Sequence, residues 1–272
     1  MDSFGSKLLS NVAIALVFAL YAVPLALIIL ASFKSNTDIA NNPAALLFKP
    51  TFSAYQAVFN PPLFLALLNS CLIAGGAALL TLVVAIPLAY SLARTRAAFA
   101  SLVVGVLIAL QMTPAATAVI AQYQVLAGFG QLGTRFGVIL AMSAAAVPYA
   151  ILILRPFFLS VPKEIEEAAQ VDGAGRFRTF AQIVFPLARN GVSLIGILIF
   201  IAAWGEFLYP ISFLNDQSVF PLSVLILQQQ GFYGTQWNNL MALAILGAIP
   251  TVVLFAFVAR RLTSGLALGV GK

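Results

Sequence analysis

The sequence predicts an all-α, polytopic membrane protein with six transmembrane helices, and two observations carry that prediction. The first is solvent preference. Hydrophobic residues make up 62% of the chain and charged residues 8%, whereas a soluble domain carries about 25% charged residues. A chain this apolar cannot cover itself with water-compatible surface, so lipid is the solvent for most of it. The 272 residues have room for about six spans of ~20 residues with their loops. The second observation is where the cations fall. With an even number of spans the two termini share a side, and that side holds 11 of the 14 Lys and Arg residues. Only Lys34, Lys49 and Arg135 fall on the other. Cations gather on the cytoplasmic side of membrane proteins, so both termini are expected in the cytoplasm. The net charge of +6 then follows from topology and does not call for nucleic acid.

The elements follow in order. Val12–Phe33 is an apolar run of 22 residues, longer than the ~7–15-residue core of a signal peptide, and reads as a retained first span (12–33). Lys34 to Pro62 is turn-rich and predicts an extramembrane loop with a short helix near Ser53–Phe59. Leu63–Ala93 has no charge over 31 residues; the second span is placed at 66–93, with Gly75 and Gly76 allowing close helix approach. The third span is 97–121, with Gln111 and Pro114 near its middle, and Gln122–Arg135 is a Gly-rich link. The fourth span is 136–155. The fifth is 190–214, interrupted by Glu206 and Pro210, and the sixth is 237–259. The chain reads as a single transmembrane domain, 1–272.

Between the fourth and fifth spans lies one charged island, 162–186. It holds Glu164, Glu166, Glu167 and Asp172, four of the eight acidic residues of the chain. Pro162 suits the opening of a helix, and the glutamates suit its positive end. Ala168 and Ala169 leave a flat face for close approach by another surface. Asp172-Gly173 stops the helix, because Gly accepts the left-handed conformation a cap requires. Arg176–Phe185 then predicts a second short helix leading through Pro186 into the fifth span. The island is therefore a helix–turn–helix elbow on the cytoplasmic face.

The chemistry available is narrow. There is no histidine and one cysteine, Cys71, so the usual general base, a multi-cysteine metal site and an internal disulfide are excluded. The Gly271-Lys272 pair lacks the rest of a phosphate-binding loop. Neither catalysis nor a bound metal is expected of this chain.

Glu167-Ala168-Ala169-x-x-Asp172-Gly173-Ala174, followed by Ile183 and Pro186, resembles the "EAA" cytoplasmic loop of permease subunits of binding-protein-dependent ABC importers. Trp204-Gly205-Glu206-Phe207, Pro221-Leu222, Trp237 and Leu262-Thr263-Ser264-Gly265 look like the carbohydrate-uptake branch, specifically the second permease of maltose-type systems. The chain departs from that branch at Gly205, where Asn is common, and at its last residues, Leu268–Lys272. The resemblance implies the type I permease fold, with the elbow as a coupling helix seated in a cleft of an ATPase subunit. It implies coupling roles for Glu164, Glu167, Ala168, Ala169, Asp172 and Gly173. It further implies a homologous second permease, two ATPase subunits holding ATP and Mg, and an extracytoplasmic binding protein that delivers a sugar. Importers of glycerol phosphates or polyols share these motifs. A stand-alone secondary transporter would carry more charges within its spans than Glu206 alone.

Polar residues inside apolar helices face a cavity or a bundle interior, because an ionisable group at bilayer depth costs about 2.5–3.5 kcal/mol. Asn69, Gln111, Tyr123, Trp204, Glu206 and Tyr209 are therefore candidates for a substrate pathway. Glu206 reads either as a carboxylate that holds solute or gates the path, or as a helix–helix contact. Asn69 and Gln111 read either as cavity lining or as interhelical hydrogen bonds. Trp204 also suits an interfacial anchor.

Overall fold

The computed structural model describes residues 2–231 and 234–267, with side chains for 9–231 and 234–256. Tyr233, residues 268–272 and the side chains of Lys7, Arg260, Arg261 and 262–265 lie outside the described residues. Among those described, the chain is almost entirely helical. In order it forms α1 (Asp2–Ser32), α2 (Asn36–Asn41), α3 (Ser53–Val58), α4 (Pro61–Arg94), α5 (Ala97–Gln111), α6 (Ala115–Gly128), α7 (Arg135–Leu159), α8 (Lys163–Val171) and α9 (Arg176–Thr179). A π-turn (Phe180–Val184), α10 (Phe185–Gly205), α11 (Leu208–Phe213), a 3-10 turn (Gln217–Val219) and α12 (Leu222–Leu227) follow. A two-residue hairpin, β1 (Gln230–Gly231) with β2 (Gly234–Thr235), precedes α13 (Trp237–Ala267). Among the described residues, five helical stretches are long and apolar enough to cross a membrane, and the bent pair α5–α6 brings the number to six when it is counted as one span.

The helices gather into two compact units, one with the residues up to Phe64 and Leu225–Pro250, the other with Leu65–Val224 and the chain from Thr251 on. In the first unit, aromatic packing closes the end of α1: the Phe33 ring lies 5.5 Å from Phe52 and 5.2 Å from Tyr55. Lys34 is buried, with its Nζ donating to the Pro43 carbonyl at 2.8 Å and lying 5.1 Å from the centre of the Phe48 ring. Helix α2 is an addition to the expected loop. Its signal is local: Ser35 Oγ accepts the Asp38 N–H at 3.1 Å, an N-cap of the usual Ser type. The Asn36 side chain accepts the Trp237 N–H at 2.9 Å at the start of α13.

The second unit is built from small side chains that let helices approach. Ala85, Ala89, Ala150, Leu154, Phe158, Val184 and Ile195 are fully buried in one cluster. A Cβ added to Gly76 would lie 2.6 Å from Ile139 Cδ1, and one added to Gly191 would lie 2.3 Å from the Phe157 ring. The Phe157 ring leaves no room for a side chain at Gly191, whereas at Gly76 the end of the Ile139 side chain would have to shift; Gly75, also expected to admit a close helix, has nothing within 4 Å. Two departures from regular helices bear on the candidate residues. The stretch expected as the third span is broken at Met112-Thr113-Pro114, where α5 and α6 meet at 96°, because the residue before a proline is pushed out of the helical region. The helix after the elbow is continuous from Arg176 to Gly205, instead of a short helix followed by a separate span. Its π-turn ends just before Pro186, where the ring has no N–H to give and crowds the preceding turn.

Candidate functional site

The elbow is a rigidly ended helix. Glu164 and Glu166 occupy the first turn of α8. At the other end Gly173 takes φ +84°, its N–H bonds to the Gln170 carbonyl at 3.0 Å, and the Ala174 N–H bonds to the Ala169 carbonyl at 2.9 Å. This pair of bonds is a Schellman motif, which ties up the last carbonyls and holds the turn. The outward face carries Glu164, Glu167, Ala168 and Asp172, all exposed, flanked by Val171 at 88% and Phe177 at 84% exposure. Two large apolar side chains left bare beside three carboxylates mark a surface suited to a partner. Ala169 turns inward and is buried.

Glu166 also turns inward, and it was not singled out for a role by its sequence. Its Oε1 accepts Arg94 Nε at 2.7 Å and also Arg94 Nη2, and its Oε2 accepts the Tyr90 hydroxyl at 2.7 Å. Arg94 Nη2 also donates to the Val161 carbonyl at 3.0 Å. The Tyr90 ring sits 4.8 Å from Phe180 and 5.8 Å from Phe158, and the pair is mostly buried, with 16% of the Arg94 side chain and 9% of the Glu166 side chain accessible. Removing one member of such a buried pair leaves an uncompensated charge, at a cost of about 3–5 kcal/mol. Glu166 shares a face with Ala169, three positions on. Ala169, expected on the partner-facing surface, turns inward instead, so no signal in the sequence shows that Glu166 does so too.

A second site is a cavity of about 440 Å³ lined by Gln111, Tyr149, Glu206 and Tyr209 among apolar residues that include Ala77, Met142, Ala145 and Ile199. Three of the predicted pathway residues, Gln111, Glu206 and Tyr209, thus come together; Tyr149 joins them without having been predicted. The break between α10 and α11 places Glu206. Its Oε1 accepts the Leu208 N–H at 2.7 Å, and its carbonyl accepts Ser223 Oγ at 2.8 Å. Gln111, at the end of α5, donates to the Ala145 carbonyl at 3.3 Å. Amide, hydroxyl and carboxylate groups on an apolar wall with two tyrosine rings suit a polyhydroxylated solute, which needs both hydrogen bonds and flat apolar contact.

The other three lie elsewhere. Asn69 is fully buried, donates to the Ser218 and Phe220 carbonyls at 3.0 Å each, and accepts Arg135 Nε at 2.7 Å. Both of its N–H donors are used within the chain. Beside it, Ser70 Oγ accepts the Leu222 N–H at 2.8 Å. Trp204 is buried and stacks on Phe200 at 5.9 Å. Tyr123 is exposed and packs 6.1 Å from Phe213. None of the three lines the cavity.

Residues 83–267 match the family described as the binding-protein-dependent transport system inner membrane component. This chain belongs to that family. The match spans the elbow, the cavity break and the last span, so the permease fold extends over both sites. Over 268 residues the permease is 30% identical to SmoH, a sulfoquinovosyl glycerol transport system permease protein of Agrobacterium fabrum, covering 98% of this chain and 94% of SmoH. It is also 30% identical over 265 residues to MelC, a melibiose/raffinose/stachyose import permease protein of Bacillus subtilis, covering 95% and 94%. Its fold is that of a chain from a bacterial ABC transporter that imports the acidic polysaccharide alginate: TM-score 0.80 at 20% identity, over 96% of this chain and 98% of that one. As a transport permease it is not itself a catalyst.

Proposed function

We propose that this chain is one of two homologous permease subunits of an ATP-driven importer, moving a sugar from an extracytoplasmic binding protein into the cytoplasm by alternating access. One observation carries the reading: between its long apolar helices the chain keeps a capped, acidic helix, α8, with Glu164, Glu167, Ala168 and Asp172 turned outward. That face suits a cleft in an ATPase subunit, where ATP and Mg would reside. Glu167 would pair with a basic residue there, and the cap at Gly173 would keep α8 rigid while nucleotide-driven closure moves it. Helices α7 and α10 would carry the motion into the bundle, and rocking would open the path to each side in turn. Gln111, Tyr149, Glu206 and Tyr209 would meet the solute, and the sugar substrates of the relatives favour that solute class. The 11-to-3 split of cations supports cytoplasmic termini and a cytoplasmic elbow.

The test is uptake by vesicles holding the whole complex. Glu167→Lys, or Gly173→Val, should abolish ATPase attachment or binding-protein-stimulated hydrolysis while the binding protein keeps its affinity for solute. In intact cells, cysteines at Asn42 and Ser218 should react with an impermeant thiol reagent and one at Arg176 should not. Wild-type uptake by both elbow variants, or labelling at position 176, would refute the reading.

A further inference from the structure

We infer that α4 is an additional mechanical connection to the elbow, with Arg94, Tyr90 and Glu166 as positioning residues that deliver the motion of α8 to the far end of α4. The inference rests on the reading of α8 as the ATPase-facing helix. Chain connectivity alone ties α8 to α7 and α10. Helix α4 is joined to it only through space, by residues 72 positions apart. The joint is of a kind that transmits displacement. Both oxygens of Glu166 are engaged, one by Arg94 and one by Tyr90, and Arg94 holds the Val161 carbonyl as well. A guanidinium that grips both the first turn of α8 and Val161, two residues ahead of it, resists rotation and sliding together. Packing by Phe158 and Phe180 against Tyr90 holds the phenol in place.

The other end of α4 is bonded just as directly. Arg94 and Asn69 lie 25 positions apart within one helix, roughly 37 Å at 1.5 Å per residue. There Asn69 holds the Ser218 and Phe220 carbonyls, and Ser70 takes the Leu222 N–H. Between the ends, Ser143 Oγ on α7 donates to the Ala77 carbonyl at 3.2 Å. Helix α4 therefore joins two segments remote in sequence, the elbow and the stretch 216–222, and a push on one is felt at the other.

The experiment uses the assembled importer in vesicles with its binding protein. Glu166→Gln keeps the shape and removes the charge; Tyr90→Phe removes one hydroxyl; the swap Arg94→Glu with Glu166→Arg restores a pair of opposite hand. Residues along a coupled network shift coupling by about 0.5–2 kcal/mol. Glu166→Gln should accordingly lower stimulated hydrolysis and uptake per assembled complex about tenfold, with basal hydrolysis retained, and Tyr90→Phe about threefold. The swap should recover part of the loss. The labelling rate of Ser218→Cys should differ between nucleotide-free and ATP-bound wild-type complexes, and Glu166→Gln should erase that difference. Glu167→Lys is the control for the underlying reading. If it leaves transport intact, the ATPase-facing reading fails first. If Glu167→Lys abolishes stimulation while Glu166→Gln and Tyr90→Phe keep wild-type stimulation and the nucleotide-dependent labelling, the role of α4 is overturned alone. Should Glu166→Gln fail to assemble, Tyr90→Phe decides: wild-type uptake per complex overturns the inference, and a loss with normal assembly supports it.

Discussion

Glu166 and Glu206 are both carboxylates drawn out of bulk water, one in the elbow and one at the break between α10 and α11, and the chain satisfies them in different ways. Glu166 receives a full cation and a phenol, so both oxygens are held and the side chain has one position. Glu206 receives a backbone N–H from Leu208 on one oxygen, and its other oxygen carries no hydrogen bond among the described residues. It also faces a cavity. A carboxylate neutralised by a buried partner has nothing left to offer a ligand. One held by a single dipole keeps an oxygen that can accept hydrogen bonds from a solute. The difference separates a residue that fixes geometry from one available for recognition, although both are glutamates in apolar surroundings.

The comparison can be broken most directly at Arg94. Arg94→Met leaves Glu166 buried without its cation, and thermal unfolding of the purified subunit should show a loss of about 3–5 kcal/mol. Glu206→Gln keeps an oxygen for the Leu208 N–H and should unfold close to the wild-type temperature. Equal losses in the two variants would erase the distinction.

A smaller loss of stability and a larger one of transport are expected at the cavity. Glu206→Leu should abolish uptake per assembled complex, and Glu206→Gln should lower it only in part, because size and most hydrogen bonding remain. If Glu206 were a structural contact, the Leu variant would instead assemble poorly, and whatever assembled would transport normally. Wild-type uptake by an assembled Leu variant would end the recognition role.

Asp216 sharpens the contrast from the exposed end. Hydrogen bonds from the Ser218 N–H and hydroxyl hold its carboxyl below the ordinary value of 3.8. A depressed folded value means that its contribution is present above the unfolded value and is lost as pH falls through the folded one. Asp216→Asn keeps an acceptor for the Ser218 N–H but removes the charge, so the wild type should be slightly the more stable of the two near pH 7, and the two should converge as pH falls below about 4. A gap of equal size at neutral and acid pH would mean that the charge itself contributes nothing.

Much of this was legible in sequence because the signals are local. Gly173 after Asp172 announces the cap, and the structure closes it with the two bonds of a Schellman motif. Gly76 announces close packing and meets Ile139. The short helix near Ser53 is present. Other features depended on contacts that no local pattern reports. Asn69 and Gln111 are both neutral amides inside apolar helices, yet one spends its donors on the Ser218 and Phe220 carbonyls and the other lines the cavity. Tyr149 has nothing in its neighbours to distinguish it from a lipid-facing tyrosine. The elbow's second half was divided too early: Arg176–Phe185 is the start of one continuous helix, because the π-turn accommodates Pro186 without a break.

By itself the sequence determined a chain whose long segments suit lipid and a charged elbow with its cap, which follow from composition, periodicity and turn chemistry acting over a few residues at a time. The family came from the resemblance of the motif Glu167 to Ala174, and the bend between α5 and α6 came only with the structure. Only the tertiary structure decided that Glu166 turns in while Glu167 turns out, and that Gln111, Tyr149, Glu206 and Tyr209 share one cavity while Asn69 does not. The physical reason is distance along the chain. The partner that makes Glu166 affordable in an apolar place is Arg94, 72 positions away, and only the packing of α4 against the elbow brings the two charges together.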